Sequence, residues 1–298
     1  MGRGHPECPE RLDAIADHLI ATGLAVALEY RQAAAVAESD LLLAHDGDHV
    51  EALRAFCKQV DASGEPRALD DDTVVGPGTW QAALHAAGAA VAATDAVLDG
   101  TFDNAFCAVR PPGHHATRRQ AMGFCFFNNV AIAACHALTV RGLERVAVVD
   151  FDVHHGNGTE DILAGDERML MVGFFQHPLY PGSGSRPLGD NILNVPLSPF
   201  SKGPQMRQAI EQQCLPRLEA FRPQMIFISA GFDAHREDDI SHLGLVEVDY
   251  AWITERIKRV AERHAKGRIV SCLEGGYALS ALGRSVASHL RVLADLAH

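Results

Sequence analysis

Five short apolar runs along the chain each open into a polar, glycine-bearing turn. Ala105–Val109 (AFCAV) leads into RPPGHH, and Arg145–Phe151 (RVAVVDF) into DVHHGNG. Met169–Phe174 (MLMVGF) leads into FQHPLYPGSG, Met225–Ser229 (MIFIS) into AGFDAH, and Arg268–Leu273 (RIVSCL) into EGGY. Near-continuous β-branched and apolar runs of this length predict strands buried on both faces, as in a parallel sheet. Between them lie segments with apolar residues at helical spacing, which predict helices over 10–21, 79–98, 128–138, 203–220, 249–265 and 279–296. Strand and helix alternate, so the expected class is a doubly wound α/β fold. Residues 61–78 (DASGEPRALDDDTVVGPG) are the longest irregular stretch and predict a surface loop with an acidic tip.

Composition narrows the picture. The 298 residues carry 26 Lys+Arg against 38 Asp+Glu, a formal net charge of −12. An acidic chain without a basic run is a poor partner for nucleic acid and a better one for a cationic small molecule or basic peptide. No apolar stretch approaches the roughly 18 residues of a membrane span, and the start, MGRGHPECPERL, lacks the apolar core of a signal peptide. The seven cysteines are scattered without a C-x-x-C pair, which predicts buried thiols in a reducing, cytoplasmic setting.

Candidate chemistry collects after the strands, where open α/β sheets bind ligands. In VDFDVHHGNG, Asp152 and His154 form D-x-H, and strand alternation would put both on one face. A carboxylate and an imidazole suit a borderline divalent ion at roughly 2.0–2.2 Å. Asp233, after another strand, offers a third ligand or a helix N-cap. Two Asp and one His would leave a position open for water and substrate, the catalytic arrangement. His114 and His115 follow Pro-Pro-Gly and read either as metal ligands or as acid/base groups beside the metal. Tyr277, after Gly275 and Gly276, reads as a donor to a developing oxyanion or as a half-buried aromatic.

Taken in order, HPECPERL (5–12), RPPGHH (110–115), GFCFFNN (123–129), VDFDVHHGNGTED (149–161), HPLYPGSG (177–184), SAGFDAH (229–235) and LEGGY (273–277) resemble the histone deacetylase family. The resemblance is strongest to its class II and bacterial members, including acetylpolyamine amidohydrolases, and runs from residue 2 to about residue 290. It implies one arginase-like catalytic domain over residues 1–298, with a mostly parallel sheet flanked by helices. It implies a zinc-dependent deacetylase, with Asp152, His154 and Asp233 as zinc ligands. His114 and His115 match the active-site pair, Tyr277 the tyrosine facing the substrate carbonyl, and Asp150 the carboxylate that orients His114. Phe124 and Tyr180 match walls of an acyl-lysine tunnel and Gly123 its floor, and Gly275 and Gly276 are expected to border the substrate as well.

Asn157 stands where class I members carry Asp as partner of the second histidine. An imidazole beside a neutral amide gains no support for its proton, so His115 is the expected neutral base, with His114 an electrostatic group. The expected substrates are acetyl-lysine peptides, acetylated polyamines or other small acylated amines, chosen by rim loops 61–78, 176–190 and 235–243. A homo-oligomer is compatible with this reading, because dimer contacts can narrow such an entrance.

The chain also departs from the family pattern. Gly173 replaces a Ser that helps bind structural potassium, leaving the carbonyls of Asp150, Asp152 and His154 for such an ion. Ile240 is apolar where a polyamine-selective relative carries Glu. The sequence opens almost inside the H-P-E segment, where members have a preceding strand, so an edge strand is expected to be absent or the start to be late.

Two rivals share the scaffold. A two-manganese ureohydrolase would need D-x-H-x-D and D-x-D, but position 156 is Gly and Asp233 is followed by Ala234 and His235. A catalytically silent acyl-ligand binder is disfavoured because every catalytic position holds a competent residue. His5, His235 and His242 are expected to be structural, and Arg11 to serve a buried ion pair or line a product path.

Overall fold

The computed structural model describes residues 4–296. The chain enters through helix α1 (Glu10–Ala21), followed by α2 (Glu38–Ala44) and α3 (Gly47–Ser63). A two-stranded ribbon, β1 (Arg67–Ala68) with β2 (Val74–Val75), precedes α4 (Thr79–Leu98). Then come β3 (Asn104–Cys107), α5 (Asn129–Thr139), β4 (Val146–Asp150), α6 (Asn157–Leu163), β5 (Met169–Gln176) and β6 (Ile192–Leu197). The last part holds α7 (Gly203–Ala209), α8 (Leu215–Phe221), β7 (Met225–Ala230), α9 (Glu247–His264), β8 (Ile269–Leu273) and α10 (Leu279–Leu293).

The six long strands form one parallel sheet in the order β3-β8-β7-β4-β5-β6. Every residue of β4, β5, β7 and β8 is buried, because helices cover both faces. Alternate strand residues divide between two cores. Ala147, Val149, Ile226 and Ile228 join the face covered by α1 and α7–α10, while Val146, Val148, Met225 and Phe227 join the face under α2–α6. The sequence runs outward from β4 through β5 to β6, and the other way from β7 to β8. The order therefore reverses between β4 and β7, the place where α/β sheets open a crevice.

Three expectations needed correction. Residues 203–220 are helical throughout, as expected, but not uniformly α-helical: a π-turn over Ile210–Cys214 lies between α7 and α8. Pro216 sits in the first turn of α8, lacks an N–H and crowds the carbonyl four residues back, and the widened turn accommodates it. Residues 61–78 are not all loop, since α3 reaches Ser63 and the ribbon follows. Asp72 there is half-buried against the cavity described below rather than at a surface tip. Helices α2, α3 and α6 and strand β6 add to the expected set. β6 pairs only with β5, which lets the edge tolerate Pro196. Six cysteines are buried, Cys8 is half-buried and none is bridged. No described helix is long and apolar enough to cross a membrane.

Candidate active site

The β4 register carries Asp150 to the strand end, and the next residues turn across the crevice mouth. Asp150 Oδ1 accepts the N–H of Asp152 (3.0 Å), and its Oδ2 lies 3.0 Å from His114 Nδ1. Asp152 Oδ1 accepts the N–H of His154 (2.8 Å), while its Oδ2 accepts the N–H of Gly275 beyond β8 (2.8 Å). Asp233, three residues past β7, uses Oδ1 to accept the N–H of Val153 (3.0 Å). Four separate strand ends are tied together by these bonds.

Among the described residues, Asp152, His154 and Asp233 form a buried group whose ligand atoms all lie within 4.8 Å of one another. His154 Nδ1 is 3.0 Å from Asp152 Oδ1 and 3.2 Å from Asp233 Oδ2. Asp233 Oδ2 is buried and makes no hydrogen bond of acceptable geometry. Burial and the adjacent Asp152 charge push the Asp233 carboxyl up to about 6. Burial opposes a charge on His154 too, yet the Asp152 and Asp233 carboxylates beside its Nδ1 hold it at about 10. Two carboxylates side by side in a dry site demand a positive charge. A divalent cation on the same three atoms would satisfy both carboxylates and free the imidazole nitrogen, so the donor set fits a metal ion.

The histidine pair sits against this triad, with ring centroids 4.1 Å apart. Both are buried but have opposite environments. Burial disfavours a charge on His114, but the carboxylates of Asp152 and Asp150 outweigh it and raise its pKa well above the usual value. Burial also drives His115 down, and the neighbouring charges of His114 and His154 drive it further, well below the usual value. His115 Nδ1 is 2.7 Å from Asn157 Oδ1. That amide oxygen accepts only, so Nδ1 carries the proton and Nε2 keeps a lone pair. The bond from Asn157 Nδ2 to the His115 carbonyl (3.4 Å) agrees with this orientation of the amide.

A cavity of about 210 Å³ opens over these groups. His114, His115, His154, Gly123, Gly275 and Tyr277 line it, with walls of Phe124, Leu179, Tyr180 and Ile240 and the carboxylate of Asp72. Gly123 is required by contact and conformation: its φ is +55°, and a Cβ would stand 2.4 Å from the His115 ring. Tyr180 meets His115 edge-on at 5.1 Å, and Phe124 meets Tyr277 edge-on at 6.1 Å. Burial raises the Tyr277 pKa well above its usual value, so the phenol stays protonated and can donate. Gly276 is not among the lining residues. Its φ is +121°, and a Cβ would press on Leu282 and Phe232, so it shapes the turn.

Arg11 takes the buried ion-pair role. Its Nε donates to the Gly276 carbonyl (2.7 Å), its Nη2 donates to the Glu274 carbonyl, and its Nη1 lies 3.3 Å from Glu7 Oε1. Its guanidinium stands 4.9 Å from the Tyr277 ring centroid. His5 packs edge-on against Phe124 at 4.7 Å, and His242 meets Phe200 at 5.5 Å.

Sequence reasoning missed Glu274. Its Oε2 accepts the N–H groups of Gly113 (2.6 Å) and His114 (3.1 Å), and its Oε1 accepts the Ser229 hydroxyl (3.0 Å). Burial pushes this carboxyl up to about 7. It fixes the backbone of the histidine pair, and the only signal for it was a charge ending an apolar strand.

Fold and site together define an α/β protein with a parallel sheet, whose switch-point crevice holds a buried Asp-His-Asp group fit for a cation beside a tandem histidine pair. The histone deacetylase domain profile matches residues 5–293, and the chain belongs to that family. It is 41% identical over 281 residues to the histone deacetylase-like amidohydrolase of Pseudomonas aeruginosa, covering 92% of this chain and 73% of that protein. It is 37% identical to a probable deacetylase of Archaeoglobus fulgidus, covering 98% of this chain and 81% of the relative. The crystal structure of the HDA15 HD domain superimposes with a TM-score of 0.91 at 32% identity, over all of this chain and 84% of that one.

Proposed function

We propose that this chain, acting as one catalytic domain over residues 1–298, is a zinc-dependent deacetylase. It would hydrolyse the amide of an acylated primary amine, such as an acetyl-lysine side chain or an acetylated polyamine. The observation that carries this reading is one cavity lined by His115, whose pKa is held well below its usual value, by Tyr277, whose pKa is held well above, and by His154 of the buried triad. Zinc held by Asp152, His154 and Asp233 would supply Lewis acidity to the water and to the amide carbonyl.

The protein groups do the rest. His115 Nε2 accepts the proton of the attacking water and returns it to the leaving amine, a task that needs a neutral imidazole at pH 7. His114, paired to Asp150, stays charged and stabilises the negative charge that develops. The Tyr277 hydroxyl donates to the tetrahedral oxyanion. Phe124, Tyr180 and Leu179 hold the aliphatic stem of the substrate. The Asp72 carboxylate and the net charge of −12 favour a cationic amine. A monovalent ion on the carbonyls of Asp150, Asp152 and His154 belongs to the same reading, with Gly173 offering backbone alone. The unbridged cysteines suit a reducing cytoplasm.

The deciding experiment is acetate release from a panel of acetylated peptides and polyamines, before and after chelation and after zinc is restored, with metal counted per chain. Turnover that disappears with the chelator and returns with one zinc supports the reading. Two manganese ions per chain, or zinc-loaded protein inert on the whole panel, overturns it.

A further inference from the structure

The turn that carries Tyr277 is intrinsically soft, since Gly275 and Gly276 precede it and Gly276 has a φ of +121°. Arg11 holds one side of it through the Gly276 carbonyl. The other side is held by a carboxylate from a different loop. Asp238 is buried, and its Oδ2 accepts the N–H groups of Tyr277 (2.6 Å) and Ala278 (3.0 Å) at the entrance to α10. Its Oδ1 lies 3.3 Å from the N–H of Ile240, a wall of the cavity. No cation is paired with Asp238 among the described residues. Five residues before it stands the triad member Asp233, whose carbonyl accepts the Ser241 hydroxyl at 2.8 Å. One short segment therefore reaches the cation triad, the cavity wall and the tyrosine backbone.

We propose that Asp238 is a positioning residue for Tyr277, holding the 276–278 turn so that the phenol faces the cavity at the height of the triad. This rests on the reading of Tyr277 as oxyanion donor. Burying a carboxylate without a cation is costly, and here its compensation consists of backbone N–H groups, two of which belong to this turn. A purely structural role, capping the approach to α10, would lower stability without singling out the tyrosine.

The test is a double-mutant cycle on the zinc-loaded protein. Asp238→Ala and Asp238→Asn are made alone and with Tyr277→Phe, with kcat and KM measured on an acetyl-lysine peptide. Amide hydrogen exchange of residues 277–278 is followed in parallel. Asp238→Ala is expected to lower kcat by about 30-fold with KM within about threefold, because displacing a reacting group by about 1 Å can cost up to about 100-fold. In the Tyr277→Phe background the same change should cost less than about threefold. Asp238→Asn, whose amide oxygen can still accept both N–H groups, should stay within about fivefold of wild type. The Tyr277 and Ala278 amides should lose protection in Asp238→Ala while Asp152–His154 keep theirs. Equal losses in both backgrounds, an unchanged kcat or unchanged exchange at 277–278 would each overturn the proposal. If Asp238→Ala does not fold, Asp238→Ser takes its place in the cycle. Should the wild type hydrolyse no acylated amine, the functional reading fails by itself, and the exchange measurement still decides whether Asp238 holds the turn.

Discussion

Replacing Gly275 with alanine tests the metal site through geometry alone. Gly275 has an ordinary φ, so alanine meets no backbone objection there. Its Cβ, however, would stand 2.0 Å from Asp233 Oδ2 and 2.7 Å from Asp152 Oδ2, where ordinary contact begins at 3.4 Å. Either the Asp233 carboxylate retreats by about 1.4 Å or the 274–277 turn does, and metal ligands tolerate only about 0.2 Å. The turn cannot move freely, because the Gly275 N–H bonds Asp152 Oδ2 and Arg11 grips the neighbouring carbonyls. Disturbing groups that merely orient ligands costs about 10- to 100-fold in metal affinity, so displacing a ligand should cost at least about 100-fold. Turnover at fixed zinc should fall at least as far. Chelator competition measures the affinity, and Gly76→Ala is the control, since a Cβ there meets nothing within 4 Å. A Gly275→Ala protein that binds zinc like wild type and keeps its turnover would refute the assignment of Asp152 and Asp233 as ligands.

Tyr277→Phe should lower kcat by about 10²–10³ while zinc content stays at one per chain; near-normal turnover would remove the tyrosine from the reaction. Glu274→Ala leaves the Gly113 and His114 N–H groups and the Ser229 hydroxyl without their partner. At about 1–3 kcal/mol for each unsatisfied buried group, urea unfolding should show a loss of at least about 3 kcal/mol, and a loss below about 1 kcal/mol contradicts the network. His289 gives a pH signature away from the metal. Burial lowers its pKa to about 3, and its two nitrogens contact the hydroxyls of Thr254 (2.7 Å) and Ser271 (3.0 Å). The unfolded chain protonates this imidazole at about 6.5 and the folded chain only near 3, so its stabilising contribution is intact above 6.5 and is lost as pH falls. The stability gap between wild type and His289→Gln should therefore shrink by about 1.4 kcal/mol from pH 7.5 to pH 5.5, and a constant gap refutes it.

Where the sequence was readable, one local pattern sufficed. Strands β4, β5, β7 and β8 are apolar on both faces, and a buried strand announces itself without reference to its neighbours. β6 is an edge strand with Asn194, Pro196 and a half-buried pattern, so nothing in ILNVPL separates it from a loop. The triad was visible because D-x-H and Asp233 each follow a strand. Glu274 and Asp238 were not, because their partners are backbone N–H groups 160 and 39 residues away, and an acceptor of backbone groups imposes no side-chain pattern on what it binds.

Those two residues also bear on why the triad is the place for the proposed cation. Five carboxylates are buried around the cavity, and each needs positive charge or donors. Asp150 has His114, Glu274 has two N–H groups and a hydroxyl, and Asp238 has the N–H groups of its neighbouring turns. Asp152 is divided between the Gly275 N–H and His154. Asp233 alone keeps a buried oxygen without a hydrogen bond, and that oxygen faces His154 and Asp152. The fold satisfies the other four of these five from its own backbone and side chains. The carboxylate oxygen left over among the five lies at the mouth of the sheet, beside the His115 imidazole and the Tyr277 phenol, the position the proposed metal ion would need.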